Sequence, residues 1–448
     1  MDGGAQVLDT TKEKSLVKIF LHYSIPTIIG LFLTSFIIIV DGIFIGWKVG
    51  ESGLAAVNFT LPVLYFLLAI TTMIGVGGVT LAAQSLGAKQ TDKANYYFSF
   101  SLTAILGITA ILVVILAVFL DQVVMLLGAE GIVHQYVKDF LGVLLYFYIF
   151  IMLNIGFSMF IRAEGKPQLS LVFGLSGNII NIILDYVFIM RLEWGMGGAA
   201  LASGSAVLLP FIFGVGYFGT NRSVYRFCKF SASLREFRNI LMNGAAEFIS
   251  QSSVSITTAI FNFVLLERMG VNGVAALTII GYVFFIHSMI ITGIAVGIHP
   301  VISYHFGAKN MGMIFELMTI AVKAVSFVGI LIFVVSFIAS ENIIGVFSRD
   351  NAELLQIGKF GLRCFSAAFL LNGYNFIAAV FFTSIGEAKI AALVSCLRSL
   401  VLLVVFLMVL PHIFGDIGIW LTTPVTEVVT FIVAYFLVNS SKEKLIGC

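Results

Sequence analysis

Long apolar runs separated by short polar or charged joints dominate the chain between residues 17 and 438. Each run is at least as long as the roughly 20 residues that an α-helix needs to cross the hydrocarbon core of a bilayer. We therefore predict twelve membrane-spanning helices, numbered 1 to 12, over 17–47, 53–86, 94–120, 136–161, 168–190, 196–219, 240–266, 272–306, 313–339, 353–383, 389–411 and 416–438.

The composition agrees with this pattern and excludes a soluble globular protein. Hydrophobic residues make up 60% of the chain and charged residues 11%, with a mean hydropathy of +1.07, as expected of a polytopic membrane protein. The net charge is only +2, and the basic residues cluster in the joints, so we expect no nucleic-acid partner. The four cysteines have neither metal nor disulfide spacing. The polar segment that precedes Leu16 lacks a cleavage pattern and is interpreted as a short cytosolic tail.

The distribution of Lys and Arg over the joints predicts the orientation. With the N-terminus inside, sixteen basic residues fall in inner joints and tails, and four, Lys48, Arg191, Arg268 and Arg349, fall in outer ones. Because cytoplasmic segments carry the excess of basic residues, we expect a multi-pass protein of the plasma (inner) membrane with both termini cytoplasmic.

The chain also repeats itself at one constant offset. The repeated strings are Gly53-Leu-Ala-Ala with Gly273-Val-Ala-Ala, Gly87-Ala-Lys89 with Gly307-Ala-Lys309, and Gly195 and Gly198 with Gly415 and Gly418. This predicts two six-helix lobes of the same orientation, related by a pseudo-two-fold axis along the membrane normal. The N-terminal lobe would cover 1–220, the cytoplasmic linker 221–238, and the C-terminal lobe 239–448.

Predicted helix 5 has a polar face within its apolar sequence. Asn178, Asn181 and Asp185 are spaced i, i+3 and i+7 and therefore share one side of the helix. Asp41 in helix 1 lies about 10 Å from its outer end at ~1.5 Å per residue, and Asp185 and Ser203 in helix 6 lie at a similar depth. Ionisable groups at such positions usually face a bundle interior or a water-filled pathway.

This shared depth predicts an ion site that contains the carboxyl groups of Asp41 and Asp185, an amide of helix 5 and the hydroxyl of Ser203. Two carboxylates in a low dielectric stay ionised only if a cation joins them; otherwise one takes up a proton. The site is therefore either an oxygen-lined Na⁺ site, with all four residues as ligands, or a pair of acids that accepts a proton. The alternative is that the helices point apart and each acid has a local partner.

Further polar residues are candidates for substrate binding or for helix packing. Glu247 and Gln251, spaced i, i+4 on helix 7, would attract a cationic substrate, although Glu247 could instead pair with a linker arginine. Asn154 and Asn178 are further substrate-binding candidates, with interhelical hydrogen bonding as the alternative.

Pro26 and one pair of charges complete the candidates inside the helices. Pro26 in the first turns of helix 1 removes a backbone hydrogen bond, and we interpret it either as a simple bend or as a hinge. Arg398 and Glu427 both lie near the midplane, which predicts a buried ion pair between them.

No enzymatic site is predicted. The chain has no P-loop, which excludes direct ATP hydrolysis, and its histidines lack metal-binding spacing. The string Gly174-Leu-Ser176-Gly177 matches a short motif of intramembrane proteases, but no partnered histidine base is identifiable. We expect a protein that is not an enzyme and has no cofactor apart from its coupling ion.

The chain resembles the multidrug and toxic compound extrusion (MATE) family over essentially its whole length. The resemblance is carried, in order, by VDGIFIG at 40–46, GVGGVTLAAQSLGAK at 75–89, RAEGKP at 162–167, NIILD at 181–185, GMGGAALAS at 195–203 and GIAVGIHPVISYHFGAK at 293–309. It implies that Asp41, Asn181, Asp185 and Ser203 form the first-lobe cation site, with serine where threonine is more usual. Glu247 resembles the family's helix 7 acid. The family's helix 10 aspartate has no counterpart here, where Asn372 and Asn375 stand instead.

The resemblance implies a monomeric antiporter that exports amphipathic organic cations and drugs in exchange for H⁺ or Na⁺ by alternating access in the lipid bilayer. The alternative within the same superfamily is a lipid-linked oligosaccharide flippase, which needs a strongly cationic cavity. A passive channel or receptor is a third class, which would not need two acids at one depth.

The predicted topology has a direct test. In a cysteine-free background, single cysteines placed in the joints Gly87–Lys89 and Gly307–Lys309 should both react with a membrane-impermeant thiol reagent only from the cytosolic side. Labelling of either joint from outside would contradict both the repeat and the orientation.

Overall fold

The structure, a computed structural model, describes residues 15–220, 222–347 and 351–446. The expected cytosolic tail before Ser15, the first linker residue Asn221 and the outer-joint residue Arg349 lie outside these ranges.

The described chain confirms an all-α membrane protein with twelve crossings. Ten helices within these ranges are long and apolar enough to cross a membrane, and a pair bent by 47° adds one more. The helix Leu234–Gly307 is broken at Gly270, where φ is 60° and ψ is −157°, and so forms two crossings. In chain order we name α1 Leu16–Lys48, α2 Glu51–Gly87, α3 Thr91–Val118, α4 Gly131–Ala163, α5 Pro167–Asp185 with its continuation Tyr186–Arg191, α6 Gly195–Ala206 with Leu208–Gly219, α7 and α8 Leu234–Gly307 before and after Gly270, α9 Met311–Ile338, α10 Ala352–Ser366 with Phe369–Ser384, α11 Ala388–Phe414, and α12 Asp416–Ile446.

The backbone repeats at the interval found in the sequence. Left-handed φ angles recur at Lys89 and Lys309 (60° and 57°), at Gly50 and Gly270 (86° and 60°), and at Gly195 and Gly415 (57° and 60°). A lysine in this region is uncommon, because its Cβ crowds the backbone. Two such lysines at the same interval, each just after a long helix, show that the two halves end their second helices with the same turn.

The chain divides into two compact units. The first unit contains Ile25–Gly244, and the second contains Leu16–Ser24 together with the chain from Ala245 onward. Both boundaries lie inside helices, between Ser24 and Ile25 in α1 and between Gly244 and Ala245 in α7. The two boundaries are separated by the same number of residues as the repeated strings. The boundary in α1 comes just before Pro26, which lies inside the helix.

Glycines allow close backbone contact where these helices cross others. In the first unit, a Cβ added to Gly244 of α7 would overlap the carbonyl oxygen of Met73 in α2, and one added to Gly77 would overlap that of Ile240. In the second unit, a Cβ at Gly297 of α8 would lie 2.8 Å from the carbonyl oxygen of Tyr23 in α1. Gly77 and Gly297 are repeat partners. Small residues permit such approach between membrane helices.

The cores of the two units are built on aromatic side chains. In the first unit Phe98 packs against Phe160, Phe218 and Tyr225 at ring distances of 5.0, 4.8 and 5.7 Å. In the second unit a buried apolar cluster surrounds Trp420. Many other apolar side chains are exposed, as expected of surfaces that face lipid.

The described part of the linker is docked on the first unit. Glu164, which is fully buried, accepts hydrogen bonds from the Ser223 hydroxyl at 2.6 Å, from the Val224 amide at 3.2 Å and from the Tyr217 hydroxyl. Lys166 forms an ion pair with Glu164 at 3.1 Å. A buried carboxylate needs such partners, and they fix the chain that follows α6.

The glycine crossings predict a graded effect on stability. Gly77→Ala and Gly244→Ala should lower the thermal stability of the purified protein by about 1–3 kcal/mol or more, because backbone must move to admit the methyl group. Gly297→Ala should cost less, since its neighbour is farther away. The control is Gly107→Ala in α3, which has no heavy atom within 4 Å of its added Cβ and should be neutral or slightly stabilising. Equal melting temperatures for all four variants would contradict the crossing geometry.

Candidate ion-coupling site

The two aspartates predicted at one depth face each other in the first unit. The carboxyl groups of Asp41 in α1 and Asp185 in α5 lie at hydrogen-bonding range of one another. Asp185 is 1% exposed, and among the described residues neither of its oxygens has a hydrogen-bond donor. Two ionised carboxylates have no proton to donate, so their contact is a hydrogen bond only when one of them is protonated. Otherwise a cation must stand between them.

Polar contacts extend from this pair along α5. Asn178 Nδ2 donates to the Thr34 hydroxyl at 3.3 Å, which joins α5 to α1 two helical turns below the aspartates. Asn181, which is 7% exposed, donates to the Ser203 hydroxyl of α6 at 3.4 Å. The structure therefore brings all four residues predicted for cation coupling to neighbouring positions on α1, α5 and α6. Their role in coupling stays a prediction.

The backbone changes its hydrogen-bonding pattern directly after Asp185. The α-helix ends there, and Tyr186–Arg191 continues as a π-helix. Single π-helical turns inside α-helices occur frequently at functional sites. The sequence pattern did not predict this segment, because the spacing of apolar residues does not distinguish a π-helical turn from an α-helical turn over so short a stretch.

An exposed ion pair joins two of these helices near their outer ends. Lys48 at the end of α1 contacts Glu193, in the joint between α5 and α6, at 2.6 Å. This hydrogen-bonded ammonium holds the pKa of Glu193 below its ordinary value. The pair therefore stabilises the folded protein at pH values above the ordinary pKa of a glutamate, and this stabilisation is lost as the pH falls. At an exposed site the stabilisation is small.

The residues predicted for substrate binding lie in both units. In the first unit Asn154 donates to the carbonyl oxygen of Val207 at 2.8 Å, at the interruption of α6, and Asn178 binds Thr34 as described above. In the second unit Gln251 donates to the Glu247 carboxylate at 3.0 Å along α7. Each of these side chains has a helix-packing contact, and substrate binding by them stays a prediction.

The expected direct ion pair between Arg398 and Glu427 is wrong. Glu427 is 3% exposed and accepts hydrogen bonds from Asn372 and Asn375 of α10, each at 2.6 Å. The Arg398 guanidinium instead lies over the ring of Phe376, 4.9 Å from its centroid. Sequence reasoning did not identify their partners, because the position of a residue along a helix does not fix how the helix is rotated about its own axis.

Known proteins resemble the chain along its whole length. The sequence profile of the MatE family matches residues 26–187 and again residues 246–409. The multidrug export protein MepA of Staphylococcus haemolyticus (strain JCSC1435) is 28% identical over 436 residues, which cover 97% of this chain and 96% of that protein. MepA of Staphylococcus aureus (strain N315) is 26% identical over the same shares.

Solved structures show the same fold. A MATE protein in complex with MaL6 superposes with a TM-score of 0.90 at 23% identity and 100% coverage of both chains. A MOP superfamily transporter from Pyrococcus furiosus Vc1 (DSM3638) superposes with a TM-score of 0.89 at 24% identity, covering 99% of this chain and 98% of that one.

The geometry predicts how Ser203 contributes to a bound ion. If Na⁺ binds at this site, Na⁺ at roughly ten times its Kd should stabilise the purified protein by about 1.4 kcal/mol. The measurement is the resulting rise in melting temperature. Ser203→Ala removes one ligand oxygen and should weaken this effect while leaving the pH dependence of melting nearly unchanged. The control is Ser205→Ala, whose hydroxyl bonds the carbonyl oxygen of Leu201 in its own helix. Equal loss in both variants would argue against Ser203 as a ligand.

Proposed function

Because the chain belongs to the MatE family of membrane transporters, we propose that it exports amphipathic organic cations and drugs across the plasma membrane in exchange for H⁺ or Na⁺. The observation that carries the proposal is the contact between Asp41 and Asp185. The names of the MepA relatives, multidrug export proteins, support export as the direction and drugs as the substrates.

The paired aspartates suit ion coupling because, when both are ionised, their negative charge inside the membrane has no positive partner. Among the residues that the structure describes, neither aspartate forms an ion pair with a Lys or Arg, so a proton or a monovalent cation would have to reduce their repulsion. Binding from the outside and release to the inside would drive export, provided that the site opens to one side at a time. Two carboxylates, an amide and a hydroxyl supply enough oxygens for Na⁺ once water or backbone completes the set. We expect the site to accept both ions, with protons sufficient to drive export.

Acids in the second unit favour a cationic substrate. Glu247 has one described side-chain hydrogen-bond partner, the neutral amide of Gln251, and we expect its carboxyl group to attract a cationic ligand. For the Pyrococcus furiosus protein, a reversed polarity of the binding pocket is taken to suggest a different function. The sign of the buried charges is therefore an informative property of this fold.

The flippase alternative fits the described charges less well. Recognition of a pyrophosphate would require free cationic side chains, and Lys359 is paired with Glu341 at 2.5 Å. Arg363 donates to the Ser340 hydroxyl at 2.9 Å and to the carbonyl oxygen of Phe337 at 3.3 Å. These contacts occupy both side chains with other partners.

The remaining parts of the proposal concern oligomeric state, orientation and partners. The protein would work as a monomer in the lipid bilayer with both termini in the cytoplasm. It would need no nucleic acid, enzymatic step or cofactor beyond the coupling ion.

Vesicle transport with separate ion gradients tests the proposal. Protein reconstituted into proteoliposomes should move a fluorescent monocation against its gradient when a pH gradient is imposed, and Asp41→Asn should lower this rate at least about tenfold. The amide keeps the shape of the side chain but has no charge to titrate.

The matched control is Asp121→Asn, which removes a carboxylate paired with Lys138 at 2.8 Å outside the long helices and should leave transport unchanged. Transport by Asp41→Asn at the wild-type rate would refute coupling through the aspartate pair. Transport driven by a Na⁺ gradient but not by a pH gradient would reject the expectation that protons suffice.

A further inference from the structure

The described part of the linker carries basic side chains that all remain exposed. Residues 222–238 contain five Lys or Arg and a single acid. Within the described ranges, none of the five forms an ion pair: Arg222, Arg226, Lys229, Arg235 and Arg238. The acid, Glu236, accepts hydrogen bonds from Tyr97 at 2.6 Å and from Asn239 at 3.2 Å, and it offsets one of the five charges. The linker therefore presents a net positive surface.

The segment Arg226–Phe230 of the linker is fixed to α3 through its main chain. The Arg226 amide donates to Asn95 Oδ1 and the Cys228 amide donates to the Ser99 hydroxyl, each at 2.9 Å. Because both acceptors lie on α3, the main chain of this segment has a defined position on the first unit. Its side chains therefore begin at fixed points, and a ligand that binds them has less conformational entropy to remove than in a mobile loop.

One aromatic ring of this segment stays half exposed. Phe227 packs against the fully buried Phe98 at a ring distance of 5.1 Å, yet it is 50% exposed. It lies in the sequence between two exposed basic residues, Arg226 and Lys229. Aromatic rings next to basic residues are typical of the level where lipid headgroups meet the hydrocarbon of a membrane.

The position of the segment along α3 indicates the same level. Helix α3 has 28 residues, or about 42 Å at ~1.5 Å per residue, which matches the roughly 40–45 Å of a bilayer with its headgroups. Asn95 and Ser99 lie four and eight residues after Thr91, the first residue of α3, or about 6 and 12 Å along the helix. The segment therefore lies where the headgroups meet the hydrocarbon on the linker side of the membrane.

The burial of α3 changes along its length in agreement with this placement. Residues 97–102 are all buried, in the part of α3 to which the linker is bound. Five large apolar side chains further along the helix are exposed: Leu106, Ile111, Val114, Ile115 and Val118. Lipid would cover those side chains, so the linker has lipid as its neighbour at the end of α3 that it covers.

We propose that Arg226–Phe230 binds an anionic phospholipid, with Arg226 and Lys229 at the phosphate of its headgroup and Phe227 beside the first carbons of its acyl chains. A guanidinium has the donor geometry that a phosphate needs, and basic segments at a membrane surface attract anionic lipids. The lipid would belong to the leaflet on the linker side, which is the cytoplasmic leaflet under the predicted orientation. This inference goes beyond the proposed export function.

The alternative is that the basic residues of the linker serve only to orient the chain during membrane insertion. That role depends on the number of charges on one side of the membrane and requires neither a fixed main chain nor a bound lipid. The two explanations differ in whether the folded protein has a saturable site for an anionic lipid.

Lipid titrations of the full-length protein test the inference. The purified protein in neutral detergent is titrated with phosphatidylglycerol, which is anionic, and separately with phosphatidylcholine, which is zwitterionic. Native mass spectrometry gives the bound fraction, and the rise in melting temperature gives an independent affinity. Glycerol phosphate, a soluble molecule with the same phosphate chemistry, is added as a competitor.

The wild type should bind one phosphatidylglycerol at least about tenfold more tightly than phosphatidylcholine. The double variant Arg226→Gln/Lys229→Gln should bind phosphatidylglycerol about 25-fold more weakly, at about fivefold for each basic residue removed near a membrane surface, and should bind phosphatidylcholine as the wild type does. Glycerol phosphate at the same concentration should not displace the lipid, because it has no acyl chains to contact Phe227.

A matched control removes two positive charges from other exposed positions. Lys389 and Lys444 are exposed residues of the second unit on the same predicted side of the membrane. Lys389→Gln/Lys444→Gln should keep the wild-type affinity for phosphatidylglycerol. Equal losses in the two double variants would show a general charge effect and would overturn the inference.

Two further results would also overturn the inference. Equal affinities of the wild type for phosphatidylglycerol and phosphatidylcholine would show that headgroup charge is not recognised. Displacement by an equal concentration of glycerol phosphate would show a site for soluble phosphates instead of lipid. If the double variant does not fold, Arg226→Gln and Lys229→Gln decide singly, each with an expected loss of about fivefold. None of these measurements involves transport, so their outcome is independent of the proposed function.

Discussion

A carboxylate inside a membrane-spanning bundle must be neutralised, and this requirement explains most of the polar architecture of the protein. Burying an isolated ionised group in hydrocarbon costs several kcal/mol or more. Each buried acid therefore needs a cation, a proton or hydrogen-bond donors. The two units meet the requirement in different ways. In the first, Asp41 and Asp185 face each other, and under the proposed function a cation or proton from outside the protein reduces their repulsion. In the second, the carboxyl group of Glu427 accepts hydrogen bonds from the amides of Asn372 and Asn375.

The difference between the units matters because their backbones repeat each other closely. The same left-handed turns recur at the interval of the sequence repeat, yet the repeat partner of Asp185 is a valine, Val405. In both units, however, a membrane-embedded charged residue of the fifth helix is associated with π-helical backbone. Asp185 directly precedes one such segment and Arg398 lies within the other. A π-turn rotates the following residues relative to a regular α-helix, so each charge lies where the helix face is redirected.

The sequence was sufficient for features that depend on periodicity and depth. Long apolar runs gave the crossings, the glycine strings gave the repeat, and the i, i+3, i+7 spacing gave the polar face of α5. It was insufficient where the outcome depends on how a helix is rotated against a neighbour, as with Arg398 and Glu427. The buried Glu164 was also missed, although an acid in the joint RAEGKP beside a hydroxyl-bearing linker was a usable signal. Such partners come from tertiary packing, which no local pattern encodes.

The continuity of α1 places a mechanical constraint on any conformational cycle. One uninterrupted helix, Leu16–Lys48, carries Tyr23 against Gly297 in the second unit and Asp41 against Asp185 in the first. A helix transmits rotation and displacement along its length unless it bends, and bending is easiest where a backbone hydrogen bond is already missing. Pro26 supplies that place just after the helix changes unit. If α1 bends during transport, we therefore expect the bend near Pro26, and the hinge interpretation of Pro26 stays a prediction.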